Sequence, residues 1–283
     1  ELSKASNASS AIIKSLIEKD ILEEYYLQKD RVDFTGETSL KDIEFNEHQQ
    51  KTYDAIKSSF QEKSVCLLKG VTSSGKTEIY VKLIQEVIQQ NQQVLYLVPE
   101  IALTTQLITR LQAYFGDQVL IYHSKYSVNE RVEVYNHVKL GTKGRVIIGA
   151  RSSIFLPFKS LGLIVIDESH ESTFKQYDPA PRYHARDAAI VLAHITNAKV
   201  LMGSATPSIE SYYNAKAGKY GYAELNKRYG NVLPPDIQLI DIKEKYKKKL
   251  MTGHFSDRLL EEILSTLDLG EQIILFQNRR GYS

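Results

Sequence analysis

The sequence predicts an α/β fold, a mainly parallel sheet with helices packed on both of its faces. Three observations carry that expectation. Short aliphatic and β-branched runs recur along the chain, namely VCLLK, VLYLV, VLIY, RVIIG, LIVID, KVLMGS, IQLID and QIILF. Helix-length segments such as KTEIYVKLIQEVIQQ and RDAAIVLAHI separate most of them. The strand runs are also continuously apolar instead of alternating, as a strand covered on both faces requires.

In chain order, residues 1–31 place Ile12, Ile13, Leu16, Ile17, Ile21 and Leu22 at the spacing of an amphipathic helix. Thr35 to Asp42, with a glycine and two threonines, reads as a linker. The strand–helix rhythm starts at Asn46 and breaks between Lys227 and Pro235, where KRYGNVLPP holds residues that continue neither element. IQLID, a Ser256-to-Leu267 helix and QIILF then read as the start of a second α/β unit. The basic run KEKYKKK between them is either a solvated loop or a phosphate contact. The expected partition is 1–35, 36–229 and 230–283.

Length and composition narrow the function. A chain of 283 residues accommodates about two folding units. Its 42% hydrophobic and 25% charged residues are globular composition, which excludes a disordered chain. No apolar run approaches the roughly 18 residues of a membrane span, and the start lacks a signal-peptide core. No membrane role is expected. The single cysteine, Cys66, rules out both a disulfide framework and a cysteine zinc site within the chain, and implies a reducing, cytoplasmic setting. A net charge of +2 neither demands nor excludes nucleic acid, since a basic groove can sit inside a neutral total. The sequence begins without Met and stops soon after IILF, as expected of a piece of a longer protein.

Two motifs carry the chemistry. Gly70, Val71, Thr72, Ser73, Ser74, Gly75, Lys76 and Thr77 match G-x-x-x-x-G-K-[ST], between a strand-like run and a helical pattern. The glycines let the loop curl so that successive N–H groups face a phosphate, Lys76 reaches the β- and γ-phosphates, and Thr77 offers its hydroxyl to Mg²⁺. Leu163 to Ile166 then lead into Asp167 and Glu168. Carboxylates at a strand's carboxyl end lie where open α/β sheets bind ligands. Asp167 is expected to hold Mg²⁺ through water, and Glu168 to orient and polarise the attacking water. Gln49, about twenty residues before the loop, has an amide that matches adenine's N6 and N7. Taken alone it would pass as a surface helix residue.

The order of motifs resembles superfamily 2 helicases, and within them the replication-restart DNA helicases. Gln49 sits as in the Q motif, GVTSSGKTE as motif I and VPEIALT (Val98–Thr104) as motif Ia. His123-Ser124 and GARSSIF (Gly149–Phe155) resemble motif Ib, and DESH (Asp167–His170) motif II. Gly203 to Ser208 resembles motif III, and LFQNRRGY (Leu275–Tyr282) motif IV. The resemblance covers roughly residues 44–283, and the helix before it looks like the tail of the family's winged-helix domain. It departs at position 169, where Ser stands in place of the usual second Glu.

The resemblance implies a RecA-like P-loop NTPase lobe over 36–229, the opening of a second RecA-like lobe over 230–283, and an ATP-dependent 3′→5′ DNA helicase acting with ATP and Mg²⁺. It implies single-stranded and forked DNA, primosome proteins and single-stranded DNA-binding protein as partners. Zn²⁺ is expected in the full-length family, with no ligands in this sequence. Motifs V and VI, which carry the family's arginine finger, are likewise absent from it, so the fragment is expected to hydrolyse ATP poorly. The Ser204 and Thr206 hydroxyls are expected to bond the motif II carboxylates, with His170 as a second relay. Thr104 and Arg151 are expected at the DNA backbone.

Phe174, Lys175, Tyr177, Arg182 and Tyr183 form an aromatic-basic stretch after motif II. Such rings stack on unpaired bases while the cations meet phosphates, or else they pack the loop against the sheet. The stretch resembles the aromatic-rich loop that couples DNA binding to hydrolysis in such helicases. Arg279 and Arg280 read equally as phosphate contacts or as structural pairs. Rival readings are a nucleotide-gated DNA-binding scaffold and an RNA helicase or duplex translocase.

Overall fold

A computed structural model of the chain describes residues 43–99, 105–123, 126–228 and 235–276, with positions 9, 11, 12, 15, 16, 19 and 21. Most of the amphipathic helix and the linker expected over 1–42, with Thr104, Ser124, Arg279 and Arg280, lie outside the described residues. The chain divides into two compact units, Glu1–Val232 and Leu233–Ser283.

In the first unit the helix α1 (Glu47–Glu62) starts at a capping box. The Asn46 side chain accepts from the Gln49 N–H, and the Gln49 side chain accepts from the Asn46 N–H. Strand and helix then alternate: β1 (Val65–Gly70), α2 (Lys76–Gln89), β2 (Gln93–Leu97), α3 (Thr105–Phe115), β3 (Val119–Tyr122), α4 (Val128–Leu140) and β4 (Val146–Gly149). β5 (Leu161–Ile166), α5 (Ala185–Thr196), β6 (Lys199–Ser204), α6 (Ile209–Lys216) and β7 (Gly221–Leu225) complete the unit. The seven strands form one parallel sheet in the order β3-β4-β2-β5-β6-β1-β7.

The period of two along each strand sends successive side chains to opposite faces, and both faces are apolar. Cys66, Leu68, Val94, Tyr96, Val165 and Leu201 pack with α1, α2 and α3. Leu67, Leu95, Ile164, Ile166, Val200 and Met202 pack on the other face with α4, α5 and α6. This is the α/β architecture expected from the continuous apolar runs. Order matters most at the centre: β5, β6 and β1 are neighbours, so residues far apart in sequence leave the sheet side by side.

Two expectations are corrected, and one strand falls outside the predicted runs. GYAEL, which opens on glycine and carries an exposed Glu224, is a strand, β7. Among the described residues its backbone pairs only with β1, so one side of it need not read as buried. The runs at 237–241 and 272–276 are not strands: Ile237, Leu239, Ile274 and Phe276 are exposed. A strand is held by a neighbour's ladder, and among the described residues neither run has one. In the second unit KEKYKKK is not a loop but lies largely in the short helix α7 (Ile242–Lys247), whose first turn is capped by the Asp241 carboxylate. A two-stranded hairpin of β8 (Met251–Thr252) and β9 (Phe255–Ser256) follows, then α8 (Asp257–Asp268), capped by Ser256. Among the described residues no helix is long and apolar enough to cross a membrane.

Candidate functional site

The loop from Gly70 to Thr77 leaves β1 and enters α2. Gly75 sits at φ 88°, in the left-handed region, and a Cβ there would overlap the Gln49 amide nitrogen. Glycine is therefore required twice over. The loop is fastened on both sides. Val71 N–H donates to Leu225 O at the end of β7 (3.2 Å), and Gln49 Nε2 lies 3.4 Å from Gly75 O. Gln49 is buried, with its carbonyl already in the capping box, so its first role is to join α1 to the loop. Lys76 Nζ donates to Gly70 O at 2.9 Å and to Val71 O at 3.5 Å, folding its chain along the loop. Ser74 Oγ is buried without a partner. An unsatisfied buried hydroxyl on this loop, beside a lysine held by carbonyls, fits an anion with acceptor oxygens.

Asp167 and Glu168 emerge from β5, two strands away from β1. Asp167 is held on three sides. Tyr80 Oη donates to Oδ1 (3.1 Å), Tyr96 Oη to Oδ2 (3.2 Å), and the Glu168 N–H to Oδ1 (3.1 Å). Burial pushes the Asp167 carboxyl above the usual carboxylate range, against the pull of Lys76 and these donors. Burial and then the Asp167 charge push Glu168 up as well. The same charge and burial push the hydroxyls of Tyr80 and Tyr96 well above their ordinary value, which keeps both as donors. Glu168 has φ 48°, a strained setting for a residue with a Cβ. From there the chain turns so that Ser169 N–H donates to Gly203 O on β6.

Lys76, Thr77, Gln49, Asp167 and Glu168 line one cleft of about 680 Å³, together with Thr72 to Gly75. The sequence reading missed Ile43, Glu44, Glu78, Arg110 and Tyr114 on the same walls. Arg110 pairs with Glu78, and Tyr114 follows it by one helical turn. It also missed Tyr80 and Tyr96. A hydroxyl inside an apolar run must find an acceptor, but the sequence does not say which one.

The coupling residues meet differently from the expectation. Ser204 Oγ shares a 2.8 Å hydrogen bond with His170 Nδ1, which stands 3.5 Å from Glu168 Oε2. Thr206 contributes its backbone N–H to Ser204 Oγ (3.0 Å). Among the described residues no hydrogen bond joins either hydroxyl directly to a carboxylate; Ser204 reaches Glu168 by way of His170.

The aromatic stretch is a hairpin, and its rings have separate jobs. Lys175 and His184 pair as an antiparallel bridge, Gln176 N–H donates to Tyr183 O, and the Gln176 amide donates to Pro179 O and Pro181 O. Phe174 is 1% exposed and packs in the layer beneath α5. This corrects its assignment as a base-stacking residue, since a ring inside the core has no free face. Arg151 Nη1 donates to Thr173 O (3.2 Å), so it braces the hairpin base, and the rest of its half-buried guanidinium carries further donors. Tyr183 meets Phe155 edge to face at 4.9 Å. Tyr177, 68% exposed, and Arg182 are left at the surface, while Lys175 is half-buried.

Residues 46–215 match the family model described as DEAD/DEAH box helicase. The replication restart protein PriA of Bacillus subtilis (strain 168) is 39% identical over 287 residues, covering 100% of this chain and 35% of that protein. PriA of Haemophilus influenzae (strain ATCC 51907 / DSM 11121 / KW20 / Rd) is 40% identical over 293 residues, 100% of this chain and 39% of that protein. PriA of Rickettsia felis (strain ATCC VR-1525 / URRWXCal2) is 47% identical over 218 residues, 77% of this chain and 33% of that protein. The chain thus spans little more than a third of the length of these curated relatives. With the Gly70–Thr77 loop and the paired carboxylates leaving one parallel sheet on either side of β6, and more than half its residues within the matched model, the chain belongs to the DEAD/DEAH box helicase family.

Proposed function

We propose that this chain carries the ATP-binding lobe of a replication-restart DNA helicase that moves 3′→5′. One observation carries the reading: Lys76 and Thr77 at the start of α2, and Asp167 and Glu168 after β5, face a single cleft. In this reading residues 36–229 are the first RecA-like lobe, 230–283 open the second, and 1–35 end a winged-helix domain. The relatives named PriA support the replication-restart part of it.

The loop N–H groups and Ser74 Oγ bind phosphate oxygens. Lys76 exchanges the carbonyls of Gly70 and Val71 for the β- and γ-phosphates. Thr77 and Asp167 would hold Mg²⁺, which when bound offsets phosphate charge during phosphoryl transfer. Glu168 orients the attacking water and accepts its proton, a task favoured by a carboxyl raised through burial. Gln49 stands beside the loop to sense the adenine. His170 and Ser204 carry the state of Glu168 to the end of β6, and the Tyr177–Arg182 tip of the hairpin meets single-stranded or forked DNA. Primosome proteins and single-stranded DNA-binding protein are the expected protein partners.

The test is ATP binding by the chain, followed by the ATPase rate of the full-length protein with no polynucleotide, single-stranded DNA, forked DNA and RNA. Lys76→Ala should abolish the preference for ATP over ADP, and forked DNA should stimulate hydrolysis most. Equal rates in all four conditions, or an unchanged ATP preference in the variant, would overturn the reading.

A further inference from the structure

Asp167 is gripped from beneath by two tyrosines that no motif assigns. Tyr80 lies one turn after Lys76 on α2, and Tyr96 lies near the end of β2; both are fully buried. Their rings pack edge to face, with centroids 5.9 Å apart and planes at 77°, so each fixes the other's orientation. Their hydroxyls take different oxygens of one carboxylate. The strand beside β5 is shaped for this, because a Cβ on Gly203 would overlap the Tyr80 hydroxyl. Gly203 on β6 therefore leaves room for that hydroxyl to reach Asp167.

Counting acceptor sites shows what the grip does. A carboxylate has about four lone-pair sites, two on each oxygen. Among the described residues, Oδ1 receives Tyr80 and the Glu168 N–H, and Oδ2 receives Tyr96 alone. One site remains, on Oδ2, in a group whose rotation is blocked by donors on both oxygens. An ungripped aspartate would offer several sites in several orientations.

We propose that Tyr80 and Tyr96 are positioning residues for the metal-bound nucleotide: they leave Asp167 one acceptor site in one orientation, so the chain gains ATP affinity from Mg²⁺. This rests on the nucleotide reading above. Neither tyrosine touches the nucleotide; both act through Asp167.

The test measures the affinity of the 283-residue chain for ATP with excess Mg²⁺ and with EDTA, using a fluorescent ATP analogue. It compares wild type, Tyr80→Phe, Tyr96→Phe, the double variant and Gly203→Ala. Phe keeps each ring and removes only the hydroxyl, and thermal unfolding checks that each variant folds. A hydrogen bond to a charged group is worth enough to predict about a tenfold loss of the Mg²⁺-dependent gain for each hydroxyl. Affinity in EDTA should stay unchanged. Gly203→Ala should resemble Tyr80→Phe and add little to it. Folded variants that keep the full Mg²⁺ gain would overturn the proposal. So would equal losses with and without Mg²⁺, which mark general packing. A wild-type chain that binds no ATP at all would overturn the nucleotide reading itself, a separate and recognisable outcome.

Discussion

Phe174→Ala separates packing from DNA contact in the hairpin that follows Glu171. The ring is 1% exposed and sits in the apolar layer with Ala185, Ala189 and Ile166. Truncating a buried phenylalanine removes its transfer free energy and leaves a cavity, about 3–5 kcal/mol together. For a unit of this size each kcal/mol moves the melting temperature by about 2–4 °C. The chain should therefore melt on the order of 10 °C lower, and urea unfolding should show the same loss. Phe174→Leu, which refills most of the volume, should cost less than about 1.5 kcal/mol. Both variants are read by circular dichroism on the purified chain, without any polynucleotide. A Phe174→Ala variant as stable as wild type, to within about 0.5 kcal/mol, would refute the anchoring argument and return the ring to the list of DNA contacts.

The hairpin tip should behave in the opposite way. Tyr177→Ala combined with Arg182→Ala removes two exposed side chains, so stability should change by no more than about 0.5 kcal/mol for each. Single-strand binding, measured by fluorescence anisotropy, should weaken; unchanged binding would show that the tip is not a contact. For pH, burial raises the Asp167 carboxyl in the folded chain above its unfolded value. Its contribution to stability is then complete below the ordinary value of about 3.8 and is lost as pH climbs through the raised one. The stability of Asp167→Asn, which cannot ionise, measured against wild type should therefore gain a margin as pH rises from 4 to neutral. A margin that is flat or grows on acidification would contradict the sign.

The parallel sheet was legible because both-face burial writes itself as unbroken aliphatic runs, and six of the seven strands in the first unit read that way. β7 was not, because a strand that pairs on one side tolerates Glu224 and begins at a glycine. IQLID and QIILF misled for the converse reason: local β-propensity describes a strand only when a neighbour supplies the ladder. In the site, Lys76 and Asp167 were legible because their chemistry forces a residue type at a fixed spacing. Tyr80 and Tyr96 were not, because their role depends on strand order, which places β2 and β5 side by side and brings α2 over the seam. Phe174 shows the limit of composition: four rings among cations look alike in sequence, and only depth tells the anchor from the tip.

The two fastenings of the phosphate loop bear on how the first unit assembles. Thr52 on α1 donates to Glu224 O on β7, beside the bond from Val71 N–H to Leu225 O, so partners more than 150 residues apart meet at one spot. Pairings that distant are slow to close, because the chain entropy between them is given up before the contacts form. The final shape of the loop thus includes a contact that exists only when β1 and β7 are docked. A bound nucleotide would act as a clasp on that late closure, and its stabilisation would be felt by the whole span from α1 to β7.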